Sequence, residues 1–164
     1  MFTHLYAPMY RVCLRYDNHK EDAEDCLMKG FLKLFQNIHS FTHNVDGSLL
    51  AWVRKIMVNE CLMFLRKKSS LLYYPEEEIV DCSLPAEVLL KMDAAELQCL
   101  VMQLPVGYRT IFNLFAVEGY SHKEIAGLLG ITESTSKSQF SKARLKLKQV
   151  LEQQKTTVYG SLGE

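Results

Sequence analysis

The sequence predicts an all-α protein made of two small helical domains joined by a flexible linker. Apolar residues recur at helical spacing through most of the 164 residues, and no segment shows the sustained alternation typical of strands. Residues 69–85 carry two prolines and a triple glutamate without a durable period. We therefore expect a first domain at 1–68, the linker at 69–85, a second domain at 86–152 and a disordered tail at 153–164.

Three amphipathic helices account for the first domain. The first is predicted over Phe2–Tyr16, where apolar residues recur on one side. The polar break "DNHKEDAEDC" starts a second helix, because acids crowd a first turn in which the helix macrodipole favours them. The segment "HSFTHNVDGS" is rich in turn formers and predicts a loop. A long third helix over Leu49–Lys68 ends in cations, and three such helices suffice for a bundle.

Two helices are predicted at the start of the second domain. One spans Ala86–Gln103 and is ended by Pro105, which cannot continue a helix. The next spans Gly107–Glu118, where aromatic and aliphatic side chains form a broad apolar stripe. This stripe is expected to form a core with the segment that follows.

The segment "YSHKEIAGLLGITES" predicts a helix-turn-helix. Ser121 can cap a short helix, and Glu124 completes a capping box. Gly130 supplies a left-handed exit, and Thr132 is a new N-cap. A short helix, a glycine turn and a second helix form the motif. An ordinary helical hairpin is the alternative.

The second helix of this motif has two unlike sides. At roughly 100° per residue, Ser136, Phe140 and Ala143 fall on the side that must face the core. Slim hydroxyls and cations near a helix N-terminus suit the DNA major groove, although a solvated helix face is the competing interpretation. Gln139 lies at the border and is predicted to reach an adenine edge. The predicted DNA-contacting residues are Ser134, Thr135, Lys137, Ser138, Gln139, Ser141 and Lys142. The later cations Arg144, Lys146 and Lys148 are expected to meet backbone phosphates or stay solvated.

The distribution of charge indicates two anion-binding places. Lys plus Arg and Asp plus Glu are each 19, so the net charge of zero predicts no partner. Five bases lie between Arg54 and Lys68, and five more between Lys137 and Lys148, with acids concentrated between these two patches. Two separated basic patches can hold a polyanion at two points.

Several classes of function are not supported by the residues present. There are no paired carboxylates, Ser-His-Asp set, phosphate loop or metal-ligand cluster, so no enzyme activity, metal, cofactor or small-molecule substrate is expected. The five cysteines form no C-x-x-C pair and are expected to act mainly as small core hydrophobes. The histidines, including His122, are expected to be solvated. Free thiols, no signal peptide and no apolar run of membrane-spanning length predict a cytoplasmic protein without direct membrane insertion.

Three segments together resemble a known family. The stretch "YSHKEIAGLLGITESTSKSQFSKAR" resembles region four of bacterial RNA polymerase sigma factors of the sigma-seventy family, in particular the small extracytoplasmic-function (ECF) type. The stretch "DAEDCLMKGFLKLFQNIHSF" is similar to the core-binding helix of their region two. The stretch "LLAWVRKIMVNECLMFLRKK" is similar to the helix that opens and reads the minus-ten element. The three occur in the family's order.

The resemblance implies a function without catalysis. Region two would bind core RNA polymerase and hold melted promoter DNA, while region four would hold the minus-thirty-five duplex. Family members often pair with an anti-sigma factor, which makes one an expected partner. The residues expected near the minus-ten DNA are Arg54, Lys55, Asn59, Arg66, Lys67 and Lys68, with Asn59 contacting a flipped base. Trp52 could stack near DNA or pack in the core, and Phe41 is expected to be packed.

Some positions depart from the family pattern. The expected polymerase-binding residues are Asp25, Met28 and Lys29, and the last two replace the usual Gln and Glu. On the recognition helix, Ser136 replaces the usual Val, and its hydroxyl is expected to bond back to a preceding carbonyl. The alternative to a sigma factor is a helix-turn-helix regulator with a helical sensor or dimerisation domain.

Overall fold

All the regular secondary structure in the regions that the structure describes is helical. The computed structural model describes residues 2–41, 48–68 and 93–160, and the side chains of 4–41, 48–68 and 93–153. The chain divides into two compact units, 1–72 and 73–164. The predicted all-α class is confirmed. The predicted linker at 69–85, and the first residues of the predicted second domain, lie outside the described residues.

The first unit contains three long helices close to their predicted bounds. These are α1 (Phe2–Tyr16), α2 (Lys20–Asn37) and α3 (Leu49–Lys67), with a short 3-10 turn at Ile38–Ser40 after α2. Ser48 caps α3, since its hydroxyl accepts a hydrogen bond from the Ala51 amide at 3.2 Å.

Each of these helices packs on the other two, which makes a three-helix bundle. One apolar stripe per helix faces the common core, so the side chains there are removed from water. The largest of the fully buried core residues are Met9, Tyr16, Leu27, Leu34, Met57, Leu62 and Leu65.

A glycine allows α2 and α3 to pack closely. A Cβ atom added at Gly30 would lie 2.2 Å from Sδ of Met57, well inside van der Waals contact. Both residues are buried at the interface of the two helices. Any larger residue at position 30 would have to displace the Met57 side chain from a packed core.

The second unit contains four helices within residues 93–160. These are α4 (Ala94–Met102), α5 (Val106–Phe112), α6 (His122–Leu129) and α7 (Glu133–Gly160), and α5 continues into a π-helical turn at Asn113–Val117. The helix expected over Gly107–Glu118 is therefore part α-helix and part π-turn. Of the helix expected over Ala86–Gln103, the structure describes only the part from Asp93 onward.

The core of the second unit joins α4, α5 and α7. Leu100, Phe112 and Leu147 belong to one buried cluster, against which Phe140 packs with its ring centroid 5.8 Å from that of Phe112. Arg109 is also buried, and its guanidinium donates to the carbonyl of Met102 at 3.2 Å. This bond satisfies a carbonyl at the end of α4 that has no partner inside its own helix.

The predicted helix-turn-helix is confirmed in its local detail. The Ser121 hydroxyl accepts from the Glu124 amide, and the Glu124 carboxylate accepts from the Ser121 amide at 2.8 Å, which completes the capping box. Gly130 ends α6 with φ of 70°. The Thr132 hydroxyl accepts from the Thr135 amide at 3.1 Å and so caps the start of α7.

A helix extends into residues 153–160 of the segment 153–164 that was expected to be a disordered tail. Helix α7 continues through Gly160, and residues 161–164 lie outside the described part of the chain. Extending an existing helix adds one hydrogen bond per residue without a new nucleation cost. The segment "LEQQK" consists of strong helix formers, which favours this continuation.

Replacing Gly30 by alanine should destabilise the first unit. The added Cβ must displace Met57, at an expected cost of about 1–3 kcal/mol in the free energy of unfolding. Urea unfolding followed by the fluorescence of Trp52, the single tryptophan, reports on this unit. The control is Gly127→Ala on α6 in the second unit, where an added Cβ meets nothing within 4 Å. Equal Trp52 midpoints in both variants would contradict the close-packing argument.

Candidate nucleic-acid interface

The outer side of α7 presents the hydroxyls and cations that the sequence predicted there. Ser134 and Lys137 are exposed, and Thr135, Ser138, Ser141 and Lys142 are half-buried. Lys137 lies 2.7 Å from the carboxylate of Glu133, one turn earlier. The first turn is fixed by hydrogen bonds, since the Thr132 hydroxyl lies 2.9 Å from that of Ser134 and 2.7 Å from that of Thr135. These contacts hold the hydroxyls of Thr132, Ser134 and Thr135 together at the start of α7.

Gln139 does not lie on that surface, which corrects its predicted role. Its side chain is only 2% exposed, so it cannot reach a base edge from this position. The reason is that α7 packs against both α5 and α6. The buried face of α7 is therefore wider than the single stripe predicted from the sequence. Gln139, which lies at the border of that stripe, falls inside the buried face.

The inner side of α7 carries a polar contact that the sequence did not predict. Ser136 is fully buried, and its hydroxyl lies 2.9 Å from Nδ1 of His122 at the start of α6. The expected bond from Ser136 to a preceding carbonyl is thus replaced by a bond between the two helices of the motif. A bond across the turn fixes the angle between α6 and α7 more directly than a bond within one helix.

His122 is packed among aromatic rings rather than solvated. Its ring stacks on Phe115 at 4.3 Å between centroids and meets Phe140 edge-on at 5.8 Å. The π-turn places Phe115 there, and we call His122, Ser136, Phe115 and Phe140 the His122 cluster. Burial, and then the nearby Lys137 ammonium, lower the pKa of His122 below its ordinary value of 6.5.

The basic side of α3 is largely available to a ligand. Lys55, Arg66 and Lys67 are exposed, and Arg54 is half-buried. These cations are spaced along the helix, so they can follow a phosphate backbone rather than hold one compact anion.

Lys68 differs from the other predicted DNA contacts. Its ammonium lies 3.3 Å from the carboxylate of Asp17 and also contacts that of Asp22. Lys68 therefore links the end of α3 to the start of α2, and two acids offset its charge. Burial raises the pKa of Asp17, but hydrogen bonds from His19 and Lys68 lower it by a larger amount. The pKa of Asp17 therefore lies below its ordinary value. Asp17, His19 and Asp22 could also offer ligand atoms to a metal, but Lys68 already bridges the two acids.

Asn59 lines a surface depression between α2 and α3. The depression has a volume of about 260 Å³. Trp52 also faces it, and the Trp52 ring lies 5.1 Å from that of Phe41 in a tilted contact. The residues lining the depression are Lys33, Asn37, Ser40, Trp52, Ile56, Asn59 and Glu60. The predicted base-contacting Asn thus lies beside an aromatic ring and a charged pair, since Lys33 is 2.5 Å from the nearly buried Glu60.

Helix α2 exposes an apolar stripe that the sequence analysis only partly found. Met28, Leu32 and Phe35 are 59%, 59% and 52% exposed. Their spacing of four and three residues places them on one face. Of the predicted polymerase-binding residues, Met28 belongs to this stripe, while Lys29 lies 3.7 Å from Asp25 in an exposed ion pair. The sequence did contain a signal for this exposed stripe, because α2 has more apolar residues than its buried face needs.

Comparison with known families identifies both units. Residues 1–71 match the sigma-70 region 2 family model, and residues 94–147 match the sigma-70 region 4 model. The chain belongs to the sigma-70 family. The basic side of α3 and the α2 stripe therefore lie in region two, and the helix-turn-helix lies in region four. Helix α7 extends past the end of the region-four match.

Related proteins assign the chain to the ECF group of sigma factors. It is 28% identical over 152 residues to the ECF RNA polymerase sigma factor SigM of Mycobacterium tuberculosis, covering 92% of this chain and 75% of the relative. It is 25% identical over 156 residues to the ECF sigma factor SigW of Bacillus subtilis, covering 87% and 82%. The predicted ECF family membership is confirmed.

A solved structure supports the fold. The sigma factor RpoE of Bartonella quintana, crystallised with the anti-sigma factor NepR, aligns with a TM-score of 0.55 at 21% identity. The alignment covers 92% of this chain and 94% of that chain. Within the described parts of this sigma factor, no helix is both long and apolar enough to cross a membrane.

Acidification should loosen region four through His122. Because its pKa is lowered in the folded state, the unfolded state binds the proton more readily. This contribution to stability is present above about pH 6.5 and is lost as the pH falls through the lowered pKa. Pulsed hydrogen exchange can monitor the urea unfolding of α6 and α7 at pH 7.5 and at pH 5.5. The unfolding midpoint should be lower at pH 5.5. His122→Asn should reduce that difference, and an unchanged difference would contradict the assignment.

Proposed function

We propose that this protein binds core RNA polymerase and directs it to promoters by recognising a minus-ten and a minus-thirty-five element. The observation that carries the proposal is the pair of family matches, at 1–71 and 94–147, which occur in order in one chain. Each match contains an exposed basic surface suited to DNA. The protein itself catalyses no reaction and acts in the cytoplasm by positioning the polymerase.

In region four, α7 is the proposed recognition helix for the minus-thirty-five duplex. Ser134, Thr135 and Ser138 offer slim donors and acceptors near the helix N-terminus, which is the end that approaches base edges in helix-turn-helix complexes. Lys137 and Lys142 supply charge for phosphates, and Ser141 completes the outer surface. Gln139 supports the helix from inside and reads no base.

In region two, the basic side of α3 is proposed to hold melted minus-ten DNA. Lys55, Arg66 and Lys67 supply cations to the backbone, with Arg54 beside them. Asn59 is proposed to hydrogen-bond the edge of a flipped base, because its amide faces a depression of about 260 Å³ next to Trp52. Lys68 serves the fold through its ion pairs with Asp17 and Asp22.

The α2 stripe is proposed to dock on the polymerase. A row of large apolar side chains, each more than half exposed, is costly in water unless a partner covers it. Lys29 is paired with Asp25, so Met28, Leu32 and Phe35 supply most of the contact and charge supplies less.

Because regions two and four are linked in one chain, weak contacts at each site are sufficient for binding. Once α2 is bound to the polymerase, region four meets duplex DNA at a high effective concentration, so neither contact needs to be strong alone. An anti-sigma factor that covers these surfaces is the proposed inhibitory partner. Support comes from the solved RpoE relative, which was crystallised with the anti-sigma factor NepR.

Transcription in vitro with the matching core enzyme tests the function. The expected result is transcripts that start at specific promoters only when the protein is present. If no native promoter gives a protein-dependent transcript, the proposal is wrong. Sequencing the DNA that co-purifies with the protein and polymerase would identify the promoters.

Introducing a charge into the α2 stripe should weaken polymerase binding. Leu32→Glu should lower the affinity for core enzyme by about 30-fold, since losing a buried interface anchor costs about 2 kcal/mol. Leu32 is exposed, so the unfolding midpoint should not change. The control is Leu50→Glu, which introduces the same charge at another exposed leucine, on α3. Equal affinities of the two variants would show that the stripe is not the docking surface.

Removing a cation from the outer side of α7 should lower the affinity of the holoenzyme for duplex DNA. Lys142→Ala should lower the affinity for a minus-thirty-five duplex and reduce the slope of log affinity against log salt by about 1. Lys20→Ala removes the same charge from α2, far in sequence from the recognition helix, and serves as the control. An unchanged affinity and slope for Lys142→Ala would show that the facing of α7 is assigned incorrectly.

A further inference from the structure

Three thiols from three different helices meet in the core of the first unit. Cys13 lies on α1, Cys26 on α2 and Cys61 on α3, and each is free and at most 2% exposed. Cys61 interacts with both of the others, since Cys13 and Cys26 each contribute to raising its pKa. The thiols are therefore neighbours, with Cys61 between the other two, rather than three separate core positions.

The packing of α2 against α3 places Cys26 and Cys61 opposite each other. The two helices run antiparallel, since Asp22 near the start of α2 contacts Lys68 at the end of α3. Cys26 lies one turn before Gly30, and Cys61 lies one turn after Met57. The Gly30–Met57 contact lets the helices approach closely at this level. A disulfide needs such a close approach, because it spans only about 4–7 Å between Cα atoms.

The two thiols differ in reactivity. The hydrogen bond from Cys61 lowers the pKa of Cys26, against the effect of burial, and the Lys29 ammonium lowers it further. The hydrogen bonds with Cys13 and Cys26, together with burial, raise the pKa of Cys61 well above its ordinary value. The Lys29 ammonium, three residues further along α2, favours the thiolate of Cys26, so Cys26 is the expected nucleophile and Cys61 its partner.

We propose that Cys26 and Cys61 form an oxidation site for hydroperoxides, which converts them to an α2–α3 disulfide. The Cys26 thiolate attacks a peroxide oxygen, the O–O bond breaks, and the departing alkoxide or hydroxide takes up a proton. Cys26 becomes a sulfenic acid as its sulfur loses two electrons to the peroxide. The Cys61 sulfur then attacks the Cys26 sulfur, the S–S bond forms, and the S–O bond breaks. Hydroxide leaves with the Cys61 proton as water.

Oxidant access requires a transient opening of the bundle, as for any buried group. The consequence is a covalent tie between the helix that carries the apolar stripe and the helix that carries the basic side. Cys13 keeps its thiol in this scheme. The site differs from Cys99, which is exposed and lies in the second unit.

Mass spectrometry of the oxidised full-length chain tests the site. In a Cys82→Ser/Cys99→Ser background, only the three clustered cysteines remain. After hydrogen peroxide, denaturation and alkylation, we expect a loss of two hydrogens, one alkylated thiol at Cys13, and a linked peptide pair containing Cys26 and Cys61. A disulfide that includes Cys13, or three alkylated thiols at a dose that oxidises Cys99 in the native chain, would overturn the proposal.

Single variants separate the roles of the three thiols. Cys61→Ala should stop the reaction at a sulfenic acid on Cys26, which dimedone traps, and Cys26→Ala should remove both products. Cys13→Ala deletes a buried sulfur of the same size and should leave the disulfide intact. Circular dichroism checks that each variant is folded. If a variant fails to fold, the linked peptides of the background protein still decide the outcome.

Discussion

The close antiparallel packing of α2 and α3 is the constraint on which the first unit depends. Gly30 lets Met57 pack directly against the α2 backbone, and the register of this contact determines the pairs on either side of it. One turn away, Cys26 meets Cys61, and at the open end Lys68 reaches Asp22. Because one face of α2 is committed to this core, its opposite face carries the exposed apolar stripe. The same contact therefore organises both the core and the proposed docking surface.

The second unit is built on a different kind of contact. Its proposed recognition helix, α7, is held by the His122 cluster, in which a buried hydroxyl and two aromatic rings surround one imidazole. Such a polar contact has a single good geometry, because a buried donor or acceptor that loses its partner is costly. A purely apolar contact would tolerate small rotations of α7. The orientation of the outer hydroxyls is thus fixed from the inside of the motif.

Local signals in the sequence were enough to predict much of this structure. The capping box at Ser121, the left-handed Gly130 and the Thr132 cap depend only on neighbouring residues, and all three are present. Features that depend on distant contacts were harder to predict. The widths of buried faces depend on how many helices pack against them, which is why Gln139 was misplaced.

Contacts with residues that are distant in the sequence also determine the roles of individual side chains. Lys68 follows a run of cations in sequence, but its two carboxylate partners, Asp17 and Asp22, are more than forty residues away in the chain. The Ser136 bond to His122 spans fourteen residues and crosses the turn between two helices. Leu32 and Phe35 were missed because a helical period identifies an apolar face without showing that a second one stays uncovered. Periodicity assigns a residue to a face, whereas its role depends on what the fold brings against that face.

The π-turn at Asn113–Val117 makes the second unit sensitive to the length of the chain as well as to its composition. A π-turn holds about one residue more than an α-helical turn. Removing one residue there would restore regular helix, and the residues on either side would keep nearly the same relative facing, because the wide turn absorbs the extra residue. The wide turn itself would be lost, and with it the placement of Phe115 against His122. A single-codon deletion would therefore alter the helix-turn-helix without changing any residue that is proposed to contact DNA.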